Sequence, residues 1–247
     1  MIKNAIYLSF AFLLAFPCLA FAADPQGLTI VNAVAQGNNT SYSINIQSLL
    51  VVTALAFLPG LILLMTSFTR IIIVLSIMRQ AIGLQTTPPN IILAALALAL
   101  SVFVMRGVIQ QEQQQVVSPY LSGQLTFSQA AIAAKPPIQD FMLSQVRIEP
   151  LHLFVDLSGK NYKNKNDIPF SVLVPAFATS ELETAFQIGF LIYIPFVLID
   201  LAVASILMSL GMIMVSPTLI SLPLKLLMFV SIHGWVLVLG TLVNSFR

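Results

Sequence analysis

The chain has 247 residues, 58% of them hydrophobic and only 8% charged, with 11 basic side chains against 9 acidic ones and a formal net charge of +2. A soluble domain carries about 25% charge, and so few ionisable groups leave large apolar patches on any water-facing surface. The bilayer is therefore the natural solvent, and with no basic cluster neither nucleic acid nor a polybasic lipid patch finds its electrostatic footprint.

Residues 1–22 read as a cleavable signal peptide: Lys3, an apolar stretch from Ala5 to Phe16, a Pro17 break, and Ala20-Phe21-Ala22 as a small-x-small cleavage site. The single cysteine, Cys18, lies inside it. A cleaved chain therefore has no disulfide, no thiol nucleophile and no cysteine-ligated metal. Residues 23–47 form a periplasmic N-terminal segment. Residues 48–109 form a first membrane hairpin, in which a helix from Leu49 through Met65 runs on to Met78 with a kink at Pro59-Gly60. A turn at Gly83 to Asn90 then leads to a second helix from Ile91 to about Ile109.

Residues 110–183 are polar, and twelve of the twenty charges fall between Gly107 and Glu183. Short amphipathic helices are expected at Ser128 to Ala134 and at Pro137 to Val146, separated by Lys135-Pro136-Pro137, before a turn-rich loop from Asn161 to Asp167. Residues 184–247 form a second hairpin, with helices from Thr184 to Leu210 and from Leu224 to Val243 around a break at Gly211 to Pro223. The expected fold is all-α: an integral membrane protein of four membrane helices, each of about 20 apolar residues, with a polar helical segment between the two hairpins. The signal peptide sets the orientation, with N-terminus, polar segment and C-terminus periplasmic and the hairpin turns cytoplasmic. The polar segment is too long for loop charges to decide.

Asp200, near the middle of an apolar helix, costs roughly 3 kcal/mol on insertion and needs a partner or water. Arg70 is the obvious partner, with Lys225 and Arg79 as alternatives. Such a residue serves either a proton or ion relay or a pair that fixes assembly, and few ionisable groups stand in line here to make a relay. Met208, Met212 and Met214 cluster at the turn of the second hairpin. Unbranched thioethers adapt to irregular surfaces, so these serve either as packing or, with several copies around an axis, as a deformable ring. His152 and His233 stand alone, which leaves no metal site. No phosphate-binding loop, nucleophile elbow or His-Glu-x-x-His is present, so no catalytic residue and no cofactor is expected.

Taken together, several stretches resemble the FliP family, the inner-membrane export-gate component of the flagellar type III secretion apparatus. They are Met65-Thr66-Ser67-Phe68-Thr69-Arg70, Met78-Arg79-Gln80-Ala81-Ile82-Gly83, Thr87-Pro88-Pro89-Asn90, Val174-Pro175-Ala176-Phe177, Ser180-Glu181-Leu182 and Ala185-Phe186-Gln187-Ile188-Gly189-Phe190. Ile194-Pro195, Ile199-Asp200, Ser221-Leu222-Pro223 and Lys225-Leu226-Leu227 continue the likeness.

The resemblance implies a non-enzymatic, channel-forming subunit in the flagellar basal body that passes unfolded flagellar protein substrates. It implies several copies forming a helical ring or cone with FliQ-like and FliR-like membrane subunits and other export-apparatus proteins. It implies a pore gasket at Met208, Met212 and Met214. Arg70, Arg79, Glu181, Asp200 and Lys225 are read as polar contacts within the membrane or between subunits. Two positions depart from the family pattern: Glu183 stands where a lysine is usual, and His233 replaces a usual acid. Two other readings stay open, a homologous gate subunit of a virulence injectisome and a proton-conducting transporter subunit centred on Asp200. The cleavable signal peptide and the longer N-terminal segment resemble the flagellar branch.

Overall fold

The structure, a computed structural model, describes residues 31–36, 39–44, 46–160, 162, 164–212 and 214–246. The expected signal peptide lies outside these residues. Two compact units divide the chain, Met1–Ile62 and Leu63–Arg247.

In the first unit, strands β1 (Val31–Gln36) and β2 (Asn39–Ile44) pair antiparallel, with Val31 opposite Ile44 and Gln36 opposite Asn39. This strand pair lies in the N-terminal segment expected at residues 23–47, ahead of the helices, and the described elements from Ile46 onward are helical, as expected. Thr40, Tyr42 and Ile44, all strand formers, recur at every second position of β2. Helix α1 (Ile46–Leu64) follows and carries Pro59, the residue of the expected kink, inside it. The helix stops at Leu64. There the Thr66 hydroxyl donates to the Leu63 carbonyl (2.8 Å) and accepts from the Phe68 N–H (3.2 Å), so a side chain satisfies the backbone locally and ends the ladder.

The regular elements described in the second unit are all helices. Helices α2 (Phe68–Ile82) and α3 (Asn90–Val104) form the first hairpin. Helix α4 (Arg106–Glu112) leads through a π-helical turn (Gln113–Val117) to α5 (Ser118–Leu121). Helices α6 (Phe127–Ala133), α7 (Lys135–Gln145) and α8 (Ile148–Leu157) complete the polar segment, with a 3-10 turn at Lys165–Asp167. Helix α9 (Phe170–Ser209), 40 residues long, and then α10 (Pro217–Ser231) and α11 (Gly234–Asn244) finish the chain.

Two cores meet along α9. Its first turns bury Val172, Leu173, Ala176 and Phe177 against Met142 of α7 and Leu151 of α8. Further along, Ala185 and Phe196 join Ile71, Val74, Leu75 and Met78 of α2, Leu93 and Ala97 of α3, Phe229 of α10, and Val238 and Leu242 of α11. At 1.5 Å per residue α9 extends about 60 Å, roughly twice a hydrocarbon core of about 30 Å, so one helix serves both the polar segment and a membrane span. It begins well before Thr184, where the hydropathy change suggested a start.

Among the described residues, helix α9 is the one single helix long and apolar enough to cross a membrane. Three further pairs reach that length only together: Leu55–Leu64 with Phe68–Ile82, Asn90–Val104 with Arg106–Leu121, and Pro217–Ser231 with Gly234–Asn244, which allows up to four spans by length and composition. The last two pairs each bend by 64°. The single helix expected from Leu224 to Val243 is thus two. At its break His233 takes the left-handed conformation (φ 53°), and the Phe229 ring fills the space beside Gly234 that a Cβ would need. Phe229 packs edge-on to Trp235 (centroids 5.7 Å apart) and lies 6.4 Å from Phe196, which pins the bend to α9.

Gly189 lets α9 approach α2. A Cβ there would lie 2.5 Å from Ile77 Cδ1, 3.1 Å from its Cγ2 and 3.3 Å from its Cβ. Gly189→Ala is therefore expected to destabilise the chain by about 1–3 kcal/mol, as overpacking does. Adding Ile77→Val, which removes the nearest carbon, recovers part of that loss. Thermal unfolding in detergent measures both; an unaltered melting temperature for Gly189→Ala would show slack between these helices.

Candidate functional site

The most enclosed ion pair among the described residues involves Arg70, in the first turn of α2. Its side chain is 3% exposed, that of Glu181 on α9 is 0%, and the two form an ion pair. Arg70 Nε donates to Glu181 Oε2 at 2.9 Å while Nη2 donates to Oε1, the planar two-pronged match that a guanidinium and a carboxylate offer each other. The remaining nitrogen, Nη1, donates to the Ser245 carbonyl (2.8 Å) and to the Ser245 hydroxyl (3.0 Å) at the end of α11. The Phe246 ring lies against the guanidinium, 3.8 Å from its carbon to the centroid. Beside this cluster a buried Ser67 hydroxyl donates to Ser101 at 3.0 Å, joining the start of α2 to the end of α3. Glu181 sits between Phe177 of one core and Ala185 of the other, so the ion pair marks the seam between them.

Asp200 does not meet Arg70. Its Oδ2 accepts from Lys225 Nζ at 2.5 Å and its Oδ1 from the Ser221 hydroxyl at 2.5 Å, so both oxygens are occupied by α10. Ser221 and Lys225 stand four residues apart, one above the other on a single helix face, which is why one carboxylate reaches both. Lys225 is buried and Asp200 about one-third exposed, at 7% and 34%. Arg79, near the end of α2, folds onto the hairpin turn and donates from Nη1 to the Pro88 carbonyl (2.9 Å) and to Asn90 Oδ1 (2.7 Å). The five polar residues singled out from sequence therefore lie in three separate clusters.

The methionines stand apart from these pairs. Met208 occupies the last turn of α9, and Met212 and Met214 lie in the loop to α10. Their exposures are 68%, 43% and 100%. Gly211 opens that loop with φ 73°, and the Met212 N–H returns to the Leu207 carbonyl at 3.0 Å, closing off the helix end and turning the chain sharply. The hairpin tip thus presents three flexible apolar side chains.

Glu183, where the family resemblance expected a lysine, is paired with Arg147 Nη1 at 2.5 Å, each side chain 40% exposed. The Arg147 N–H also donates to the Ser180 hydroxyl at 2.9 Å, so the start of α8 is fixed to α9 twice. Ser221, Ser245, Phe246 and Arg147 are contacts that the sequence reading did not name. The spacing of Ser221 to Lys225 was a usable signal for the first; the others join residues distant in sequence. Among the described residues no group of three or more potential metal ligands is present.

Large apolar side chains remain uncovered along α9 and α10, among them Phe186 (60%), Phe190 (65%), Leu198 (60%), Leu219 (74%) and Leu227 (67%). An apolar helical bundle held by buried ion pairs, with its outer faces left apolar, is a helical membrane protein rather than a soluble one. The chain belongs to the FliP family, whose model matches residues 51–242. A flagellar biosynthetic protein FliP of Cereibacter sphaeroides is 48% identical over 89% of this chain and 73% of its own length. The FliP of Bacillus subtilis is 41% identical over 87% of this chain and 98% of its own length. The FliP of Buchnera aphidicola subsp. Acyrthosiphon pisum is 45% identical over 96% of this chain, which covers only 62% of that longer relative.

Glu181→Gln is expected to cost about 3–5 kcal/mol, because it leaves the enclosed guanidinium without its counter-charge. Replacing both partners with apolar residues, Arg70→Met with Glu181→Leu, is expected to cost less than the two single changes summed. Thermal unfolding of the single and double variants in detergent decides the matter, and strictly additive losses would show that the two groups are not coupled.

Proposed function

We propose that this chain is a channel-forming subunit of the flagellar type III protein export gate, passing unfolded flagellar subunits across the bacterial inner membrane. Membership of the FliP family over residues 51–242, among relatives named as flagellar biosynthetic proteins, is the observation that carries the reading. In it the chain is a non-enzymatic part of the basal body, assembled in several copies with FliQ-like and FliR-like membrane subunits and other export-apparatus proteins. The uncovered apolar faces of α9 and α10 support such an assembly, since a helix face left apolar needs lipid or another chain. The N- and C-termini are assigned to the periplasm and the tip of the second hairpin to the cytoplasmic side.

At that tip Met208, Met212 and Met214 act as the gasket. Repeated around an axis, such sets of three thioethers would close a pore against ions and still part for a polypeptide, because each side chain rotates freely and carries no charge. Arg70, Arg79, Glu181, Asp200 and Lys225 act as structural polar contacts. For Asp200 this is favoured over a proton relay by the pairing of both its oxygens with α10, one to Ser221 and the other to Lys225.

A strain lacking the chain is expected to build no filaments and not to swim, with both restored by the gene in trans; filaments without it would overturn the proposal. Alanine at Met208, Met212 and Met214 together is expected to leave the complex assembled but to raise ion leakage across the membrane. Unchanged conductance in an assembled complex would remove the gasket role.

A further inference from the structure

A guanidinium offers five N–H donors and no acceptor, so enclosing one is costly unless nearly all are used. Glu181 accounts for two of Arg70's, through Nε and Nη2. The other nitrogen is satisfied only by Ser245, which accepts through its carbonyl and its hydroxyl. The Ser245 hydroxyl in turn donates to the Leu242 carbonyl at 2.7 Å, and the Ser245 N–H to the Thr241 carbonyl at 3.0 Å. The acceptors facing Arg70 are thus the C-terminal end of α11, where unpaired carbonyls carry the negative pole of the helix. Phe246 then covers the guanidinium with its ring at 3.8 Å, the arrangement in which a ring face attracts a cation.

We propose that the Ser245–Phe246 turn is the third side of the Arg70 site and latches α11, the last leg of the second hairpin, onto α2 of the first. Neither residue is among the five polar contacts of the proposed function, and the inference concerns the chain's own fold, so it stands or falls apart from the export role. Helix α11 is otherwise held by Val238 and Leu242 in the core and by the aromatic bend at Gly234. Its far end has no other charged anchor among the described residues. With the latch closed, α2, α9 and α11 share one cation; with it open, Arg70 and Glu181 remain paired while α11 is released as a unit.

The test is amide hydrogen exchange on the full chain in detergent, comparing Phe246→Ala, Phe246→Leu and Phe246→Tyr with the parent. Tyrosine keeps a ring over the cation, leucine keeps apolar bulk without one. Exchange across Gly234–Asn244 is expected to quicken by about tenfold in the alanine and leucine variants and to stay near the parent rate in the tyrosine variant. The amides of α2 and α9 flanking Arg70 and Glu181 are expected to keep their protection. Unchanged α11 exchange in Phe246→Ala would overturn the proposal, as would leucine protecting as well as tyrosine, or α2, α9 and α11 loosening together. If the alanine variant does not fold, the leucine and tyrosine pair still decides, because both keep a large side chain at the position.

Discussion

The second unit depends on a charge pair sealed from solvent between Arg70 and Glu181. Neither residue could be carried into an apolar interior alone, since an isolated ion there costs several kcal/mol even after the protein relaxes. Paired in a bidentate fork, they become a fixed point that two hydrophobic cores can share. The core around Phe177 orders the polar helices α7 and α8 on the first turns of α9, and the core around Leu75 orders the hairpins on its later turns. Apolar contacts supply the bulk of the packing but are indifferent to register. A guanidinium that must meet one carboxylate, one carbonyl and one ring is not.

A second pair repeats the logic at the other end of the long helix. Asp200 is held by Ser221 and Lys225 of α10, which fixes how the two legs of the second hairpin lie against each other just before the methionine-bearing turn. The charges of this chain are few, and most of those within its apolar stretches are spent on alignment between helices. The apolar side chains facing outward are left to meet lipid or other chains.

Much of this was legible in the sequence, for reasons that also explain what was not. Composition alone set the solvent, and the resemblance of ordered words from Met65 to Leu227 led to the family to which the chain belongs. Helix ends were harder, because hydropathy follows the solvent and not the backbone. Helix α9 was therefore expected to begin at Thr184, where the chain turns apolar, although the ladder is already running at Phe170. Lys135-Pro136-Pro137 does stand at the boundary of two helices, but proline lacks a donor that a first helical turn leaves free, so these residues open α7 instead of lying outside it. Helix α8 carried the same sign in Ile148-Glu149-Pro150, an acid and a proline in its first turn. The break at His233 had no such sign: a histidine in a left-handed conformation is rare, and the adjoining glycine is required by the Phe229 ring instead. As for the charges, Asp200 announced itself, but its partner is decided by how the legs of one hairpin align, while Arg70 is claimed by Glu181 and Ser245, residues 111 and 175 positions away.

What the isolated chain leaves unfinished is its surface. Phe190, Leu198, Leu227 and the methionines of the tip are left largely uncovered by the described residues, and the proposed assembly supplies a cover. The most direct test is the mass of the intact complex released from membranes in which the chain is expressed with its companion membrane proteins. The account predicts a single species holding several copies of this chain together with smaller membrane subunits. A lone copy in its detergent belt, with nothing else bound, would contradict it.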